Sequence, residues 1–273
     1  MRKIYILLGF LVITVRTVLC QEIITTTSVL SSAVKEIVKD KFIVETLVPS
    51  GYCPGHFDIK GSHLASIEKS GLLFAQGFEP YLEQIKNSIK NKNFSPVFIK
   101  TEGTWFSNEN QQKIYIAITE VLSEKFPRYR SFFESNCRKT LREIENTDRT
   151  IKNMVKKQQL TGKPVICNGH LKDMLEYIGF KVVVTYGRKE EITPADIKNL
   201  INTGVKENVI LVIDNLQAGP DTGKVIADEL KVPHITISNF PEGIPETPTL
   251  RETLYKNTER IIKAYGEGKN QVR

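Results

Sequence analysis

The segment between Pro127 and Leu160 places the strongest constraint on the fold of this chain. It contains neither glycine nor proline, and its apolar residues recur three and four positions apart. This spacing predicts an amphipathic helix over residues 127–160, of roughly 30 residues and about 45 Å in length at 1.5 Å per residue. In a chain of 273 residues, a helix of that length usually connects two lobes, so we interpret it as a rigid linker helix.

Short strand patterns and helix patterns alternate on both sides of this helix. Apolar, β-branched runs such as FIVETLVPS (42–50) and NVILVID (208–214) are typical of buried strands, and segments with helical spacing lie between such runs. This alternation produces parallel sheets flanked by helices. The sequence therefore predicts an α/β fold with two lobes, residues 42–126 and 163–268, each with a mostly parallel sheet, and a ligand cleft between them. Residues 22–40, rich in Thr and Ser before a short amphipathic stretch, precede the first lobe.

The first 20 residues have the pattern of an export signal. Arg2 and Lys3 precede twelve largely apolar residues, IYILLGFLVITV, a run too short for an ordinary membrane span. A peptidase site between Cys20 and Gln21 predicts a signal peptide at residues 1–20 and an exported, periplasmic or cell-surface protein. Two alternatives stay open: lipidation of Cys20, which would anchor the chain to a membrane through its N-terminus, and an uncleaved anchor helix.

Composition and motifs narrow the function classes. Hydrophobic residues make up 40% and charged residues 25% of the chain, which are the proportions of a globular protein. Part of the net charge of +7 lies in the first 20 residues, and no basic stripe follows, so nucleic acid is not a predicted partner. No Ser-His-Asp order, G-x-S-x-G motif or pair of catalytic carboxylates stands out. We therefore expect a binding protein and not an enzyme.

Two similar turns carry the residues best suited to hold a metal ion. GYCPGH (51–56) and CNGH (167–170) each place a Cys and a His three positions apart, with a Gly before the His. Each turn follows the first strand predicted in its lobe, and ligands of open parallel sheets bind beyond the carboxyl ends of the strands. Thiolate and imidazole are zinc ligands. The predicted ligands of a single metal site in the cleft are His56, His170, Cys53 and Cys167.

Each predicted ligand also has a structural interpretation. Cys53 and Cys167 fit the role of small buried side chains at strand ends, or they could form a disulfide, which would lock the lobes together. His170 stands at the start of a predicted helix, where it could act as a cap. Further residues that could join the site are Asn168, Asp214 and Glu246.

Four segments, within residues 43–268, resemble the metal-binding solute receptors of ABC importers, the zinc and manganese class. VPSGYCPGHFDIKGSHLASIEKSGLLFAQG (48–77) is similar to the segment that carries the first ligand of that family, and GTWFSNENQQKIYIAITEVLSEKFP (103–127) to its Trp-containing turn and helix. PVICNGHLKDMLEYIGFKVV (164–183) resembles its third-ligand strand and helix, and ETPTLRETLYKNTERI (246–261) its closing helix.

The resemblance implies an exported protein that captures a divalent transition-metal ion, zinc favoured and manganese second, and delivers it to an ABC transporter permease in the membrane. His56 matches the family's first histidine. The second ligand falls on Gly103, the third on Asn168, and the final acid near Pro248, with Glu246 two residues away. Because the usual ligand set is mostly missing, three rivals stay open: the same fold binding a metal chelate or another small molecule, a two-lobed α/β transferase, and a metal-free adhesion or scaffold protein.

Overall fold

The computed structural model describes residues 21–91 and 94–271. Within these ranges the chain forms two α/β lobes, each with a sheet of four parallel strands. The predicted fold class is confirmed. The predicted signal peptide at residues 1–20 lies outside the described residues, and among the helices that are described, none is long and apolar enough to cross a membrane.

The first lobe packs four helices around its sheet. Apolar side chains of the central strands are fully buried, as where Ile24 lies opposite Leu73, and this burial holds sheet and helices together. The strands are β1 (Glu22–Thr25), β2 (Ile43–Thr46), β3 (Leu73–Ala75) and β4 (Val97–Phe98), in the order β2-β1-β3-β4. The helices are α1 (Ser28–Val38), α2 (Gly61–Ser70), α3 (Leu82–Ser88) and α4 (Asn108–Lys125).

The first lobe begins at Glu22, earlier than the predicted boundary at residue 42. β1 lies between β2 and β3 in the sheet, and every residue of α1 except Lys35 is buried. A strand of four residues is too short to show a clear alternation, so β1 was missed. The amphipathic stretch within residues 22–40 corresponds to α1, which was recognised but not assigned to the lobe.

The predicted long helix between the lobes is present as α5 (Arg130–Lys157), which has 28 residues and follows a 3₁₀ turn at Pro127–Tyr129. At 1.5 Å per residue it is about 42 Å long. Its buried side chains extend from Phe133 near one end to Val155 near the other. α5 packs against α4 and α1 of the first lobe, so the linker is supported along its length.

The second lobe repeats the design of the first. Its strands are β5 (Pro164–Asn168), β6 (Lys181–Tyr186), β7 (Val212–Asn215) and β8 (His234–Ile237), in the order β6-β5-β7-β8. Its helices are α6 (Lys172–Ile178), α7 (Pro194–Glu207), α8 (Lys224–Leu230) and α9 (Leu250–Gln271). α9 packs against β8, and it also returns to α5 and α1.

A buried ion cluster joins α9 to the linker and to the first lobe. Arg251 Nη1 donates to the two carboxylate oxygens of Glu36 on α1 at 2.7 and 2.8 Å, and its Nη2 lies 2.9 Å from the Glu143 carboxylate on α5. The Tyr115 hydroxyl on α4 donates to the same Glu36 carboxylate. Burial, together with Glu36, holds the pKa of Tyr115 well above its usual range, so this phenol remains a donor.

Candidate ligand-binding site

A cavity of about 290 Å³ lies between the two lobes, where the sequence predicted a ligand cleft. Residues of both lobes line it. The first lobe contributes Cys53, Pro54, Gly55, Phe78 and Trp105. The second lobe contributes His170, Arg188, Asn215, Gln217, Asn239 and Phe240.

Many of these residues stand where strands end. Phe78 comes three residues after β3, Arg188 two residues after β6 and Asn239 two residues after β8, while Asn215 is the last residue of β7. Parallel strands of one sheet end at the same edge, and this edge is where ligands of open α/β sheets bind. The cavity is therefore formed where the carboxyl edges of the two sheets meet.

Two of the four predicted ligands line this cavity, one from each lobe. Cys53 is half-buried and belongs to the loop after β2, whereas His170 belongs to the turn after β5. His56 ends the 3₁₀ turn that begins directly after Cys53, but it is exposed and is not part of the lining. The structure thus brings Cys53 and His170 to one cavity and leaves His56 outside it.

Cys167 lies in the core and not beyond the end of its strand. β5 continues to Asn168, so Cys167 is an interior strand residue that packs in the same core as Val165. Burial raises the pKa of the Cys167 thiol well above its usual range, and metal binding requires the thiolate. The surroundings of Cys167 therefore agree with its interpretation as a small buried side chain and not as a metal ligand. The cysteines of the described residues, Cys53, Cys137 and Cys167, are all free and form no disulfide.

His170 is held in a state that suits metal binding. Its backbone N–H donates to the side-chain oxygen of Asn168 at 3.1 Å, which caps the short turn that carries it. Partial burial of the imidazole, and secondly the positive charge of Arg188, lower the pKa of His170 below its usual value. The imidazole is therefore neutral at pH 7 and keeps a lone pair for an ion.

The four predicted ligands do not form one cluster. Across residues 21–91 and 94–271, no group of three or more His, Cys, Asp or Glu side chains is placed so that it could hold a metal ion. Gly103, where the second ligand of the resembled family falls, has a φ of 68°. This left-handed conformation favours glycine, and a side-chain ligand at this position would be strained.

The three further residues that could join the metal site form hydrogen bonds or ion pairs away from the cavity. Asn168 uses its side-chain oxygen for the cap described above and is 2% exposed. Asp214 is fully buried and accepts from the backbone N–H of Gly223 at 2.9 Å, so it supports the fold of the lobe. Glu246 is 78% exposed and pairs with Lys256 at 3.0 Å. None of the three lines the cavity.

Direct hydrogen bonds join the lobes across the cavity. Gln217 Nε2 donates to the backbone carbonyl of Ser50 at 2.8 Å. Trp105 Nε1 donates to the backbone carbonyl of Asn239 at 2.9 Å. Gln217 was not predicted from the sequence. It lies two residues after β7, and ligands of open parallel sheets bind beyond strand ends, so its position was a usable signal. The two lobes are therefore in direct contact, and we refer to this arrangement as the closed form.

Arg188 is another lining residue that the sequence did not predict. Its side chain is 16% exposed, and its Nη1 lies 3.8 Å from the carboxylate of Glu190, a side chain that is 67% exposed. Its Nη2 contacts the backbone carbonyl of Gln217 at 3.4 Å. The Glu191 carboxylate accepts from the backbone N–H of Arg188 at 2.9 Å but is not part of the cavity lining. The guanidinium, whose own contacts are long and compensate its charge weakly, is therefore the positive group of the lining.

Comparison with known proteins defines the family. The profile described as "ZnuA: Zinc-uptake complex component A periplasmic" matches residues 23–264. The chain belongs to the ZnuA family. The resemblance noted in the sequence is confirmed, and since members of the ZnuA family are solute-binding proteins, the expectation of a binding protein and not an enzyme is confirmed with it.

Individual proteins show the same relationship to this ZnuA-family chain. The metal ABC transporter substrate-binding lipoprotein FimA of Streptococcus parasanguinis is 21% identical over 277 residues, which cover 92% of this chain and 89% of FimA. A periplasmic metal binding protein from Candidatus Liberibacter asiaticus superposes with a TM-score of 0.77 at 16% identity, covering 90% of this chain and 99% of its own. The binding protein FpvC of P. aeruginosa, solved with a Ni²⁺ ion, superposes with a TM-score of 0.76 at 17% identity. The match covers 91% of this chain and 97% of the FpvC chain. At these identities the solved structures establish the fold.

Proposed function

We propose that this ZnuA-family chain is the extracytoplasmic solute-binding protein of an ABC importer. It captures a divalent transition-metal ion, with zinc favoured and manganese second, between its lobes and delivers it to a membrane permease. The observation that carries this proposal is that Cys53 and His170 line one cavity from opposite lobes. The metal-binding relatives named above support the class of cargo.

The donor atoms favour zinc. Thiolate and imidazole suit zinc, whereas manganese prefers oxygen ligands. His56 is a third proposed ligand, which reaches the cavity only if the turn after Cys53 moves, since it is not part of the cavity lining. We assign Cys167 to the core because it is fully buried. The remaining positions of a four-coordinate ion are left to water or to a group that arrives with the ion.

Ligands from both lobes would couple binding to closure. An ion held by Cys53 and His170 together binds the closed form more tightly than the open form, and it therefore shifts the population towards closure. The hydrogen bond from Gln217 to Ser50 adds to the stability of the same form. We propose that the permease recognises the closed protein through the rims of both lobes.

Calorimetric titration of the reduced, metal-stripped protein with Zn²⁺ and with Mn²⁺ tests the proposal. We expect one equivalent of Zn²⁺ to bind and Mn²⁺ to bind more weakly. Cys53→Ser and His170→Ala should each lower the Zn²⁺ affinity by more than the roughly 10- to 100-fold that loss of an outer-sphere group costs. Cys137→Ala in α5 and His63→Ala in α2 are matched controls outside the cavity. Zn²⁺ affinity that is indifferent to both test substitutions would contradict the proposed site.

Two further variants decide the roles of the remaining predicted ligands. His56→Ala should weaken Zn²⁺ binding if the turn moves to bring this imidazole to the ion, and an unchanged affinity removes His56 from the site. Cys167→Ala should leave the Zn²⁺ affinity unchanged and lower the stability of the fold, because it deletes a buried side chain. The opposite pattern for Cys167→Ala, lost binding in a stably folded protein, would show that the core assignment is wrong.

A further inference from the structure

The cavity is much larger than a metal ion. Its volume of about 290 Å³ is close to the lower end, about 300 Å³, of the range found for pockets that hold small organic molecules. One water molecule takes up about 30 Å³ in the liquid. The cleft therefore has room for an ion together with an organic molecule of several non-hydrogen atoms.

Arg188 places a positive charge where a bare cation would be repelled. Its side chain is 16% exposed, and the carboxylate of Glu190 is 3.8 Å away on a side chain that is itself 67% exposed. A guanidinium presents a planar set of N–H donors that fits a carboxylate with two parallel hydrogen bonds. A cargo that carries a carboxylate would satisfy these donors and compensate the charge, which a hydrated metal ion cannot do.

Aromatic side chains form another part of the lining. The rings of Trp105 and Phe240 lie with their centroids 5.2 Å apart, and Phe78 is a large apolar side chain with an exposed fraction of 52%. All three line the cavity. A bare ion gains nothing from apolar surface, whereas the carbon atoms of an organic ligand are removed from water when they contact it.

We infer that the cargo is a transition-metal ion already complexed by a small organic carboxylate. The inference rests on the proposed function, because Cys53 and His170 bind the ion of this complex. Arg188 pairs with a carboxylate of the chelator, and Trp105 contacts its carbon skeleton. The chelator supplies donor atoms in place of family ligands that this chain lacks, such as the one that falls on Gly103.

Equilibrium dialysis of the full chain, reduced and metal-stripped, tests this inference with labelled probes. The probes are Zn²⁺ alone, Zn²⁺ with citrate, Zn²⁺ with L-histidine, and each chelator alone. We expect the protein to retain zinc and at least one of the chelators together in equal amounts. Trp105 is the only tryptophan of the chain, so its fluorescence provides a second, independent measure of occupancy of the cleft.

Substitution of Arg188 should have opposite effects on the two kinds of cargo. Arg188→Gln should weaken retention of the zinc–chelator pair by about 10- to 100-fold, the value of a hydrogen bond to a charged group. It should leave the affinity for Zn²⁺ alone unchanged or raise it, because a repulsion is removed. Arg188→Lys keeps the charge but not the planar set of N–H donors. Its retention of the zinc–chelator pair should lie between that of the parent protein and that of Arg188→Gln. Arg149→Gln on the exposed face of α5 is the matched control.

The experiments distinguish failure of the inference from failure of the proposed function. Zinc retained equally tightly with and without a chelator, with no chelator bound beside it and no loss of retention in Arg188→Gln, overturns the inference and leaves the proposed function standing. If the protein retains a chelator without zinc, and Cys53→Ser and His170→Ala do not change this retention, both the inference and the proposed function are overturned. Failure to retain zinc under every condition also overturns both.

Discussion

Removal of the Arg251 guanidinium is a perturbation whose cost can be estimated from the structure. Arg251→Met keeps an unbranched stem that packs in the same space. It deletes the hydrogen bonds to Glu36 and the ion pair with Glu143. The Glu36 carboxylate then keeps its hydrogen bond from Tyr115 but loses the positive charge that compensates it.

The expected loss of stability follows from the burial of the pair. Removing one partner of a buried ion pair costs about 3–5 kcal/mol, because the other charge stays buried without compensation. The side chains of Arg251 and Glu36 are 13% and 11% exposed, and Tyr115 still donates, so we expect the lower value, about 3 kcal/mol. In a protein of this size each kcal/mol lowers the melting temperature by roughly 2–4 °C, and the total decrease is therefore roughly 6–12 °C.

Urea and thermal unfolding followed by far-ultraviolet circular dichroism measure this loss. The surface variant Arg149→Met should stay within about 0.5 kcal/mol of the parent protein. The double variant Glu36→Gln/Arg251→Met should be more stable than Arg251→Met alone, because neutral Gln leaves no buried charge. A loss below about 1 kcal/mol, which is the value of an exposed ion pair, or a double variant no more stable than the single one, would refute the reasoning.

Two further predictions concern the cleft. In a Cys20→Ser background, a disulfide reagent such as DTNB should modify one thiol of the folded protein, the half-buried Cys53. Cys167 should react only after unfolding, because burial raises its thiol pKa, and rapid modification of more than one thiol would contradict the structure. Gln217→Ala removes the donor to Ser50, and a net loss of about 0.5–1.5 kcal/mol from the closed form should weaken Zn²⁺ binding roughly 2- to 10-fold. Calorimetry measures this change, and an unchanged affinity would show that the hydrogen bond does not stabilise the ligand-bound form.

The architecture could be predicted from the sequence because its signals are long and repeated. α5 was recognisable because a run without glycine or proline keeps one apolar spacing over eight turns or so. β1 was not, since four residues carry too little pattern and its partners β2 and β3 are distant in sequence. Strand position in a sheet is decided by tertiary packing and not by local propensity.

The site was predictable only in outline. The rule that ligands bind beyond strand ends placed Cys53 and His170 in turns that line the cavity. The proposed ligand Cys167 lies within β5, which continues to Asn168. Arg188, two residues after β6, carried the same strand-end signal as Gln217 and was missed in the same way. Its importance arises because β6 pairs with β5, which brings the ends of both strands to the same cavity.

The way in which the lobes are joined has a consequence for the timing of transport. The chain passes between the lobes through α5, a rod of 28 residues, and α9 returns to pack against α5 and α1. Lobes joined in this manner open by small rotations and not by a wide hinge motion. A bound ligand then leaves only as fast as the lobes open, and the same opening limits the rate at which a ligand enters. If the proposed function is correct, contact with a permease accelerates release, and stopped-flow dissociation in the presence and absence of the permease would measure that acceleration.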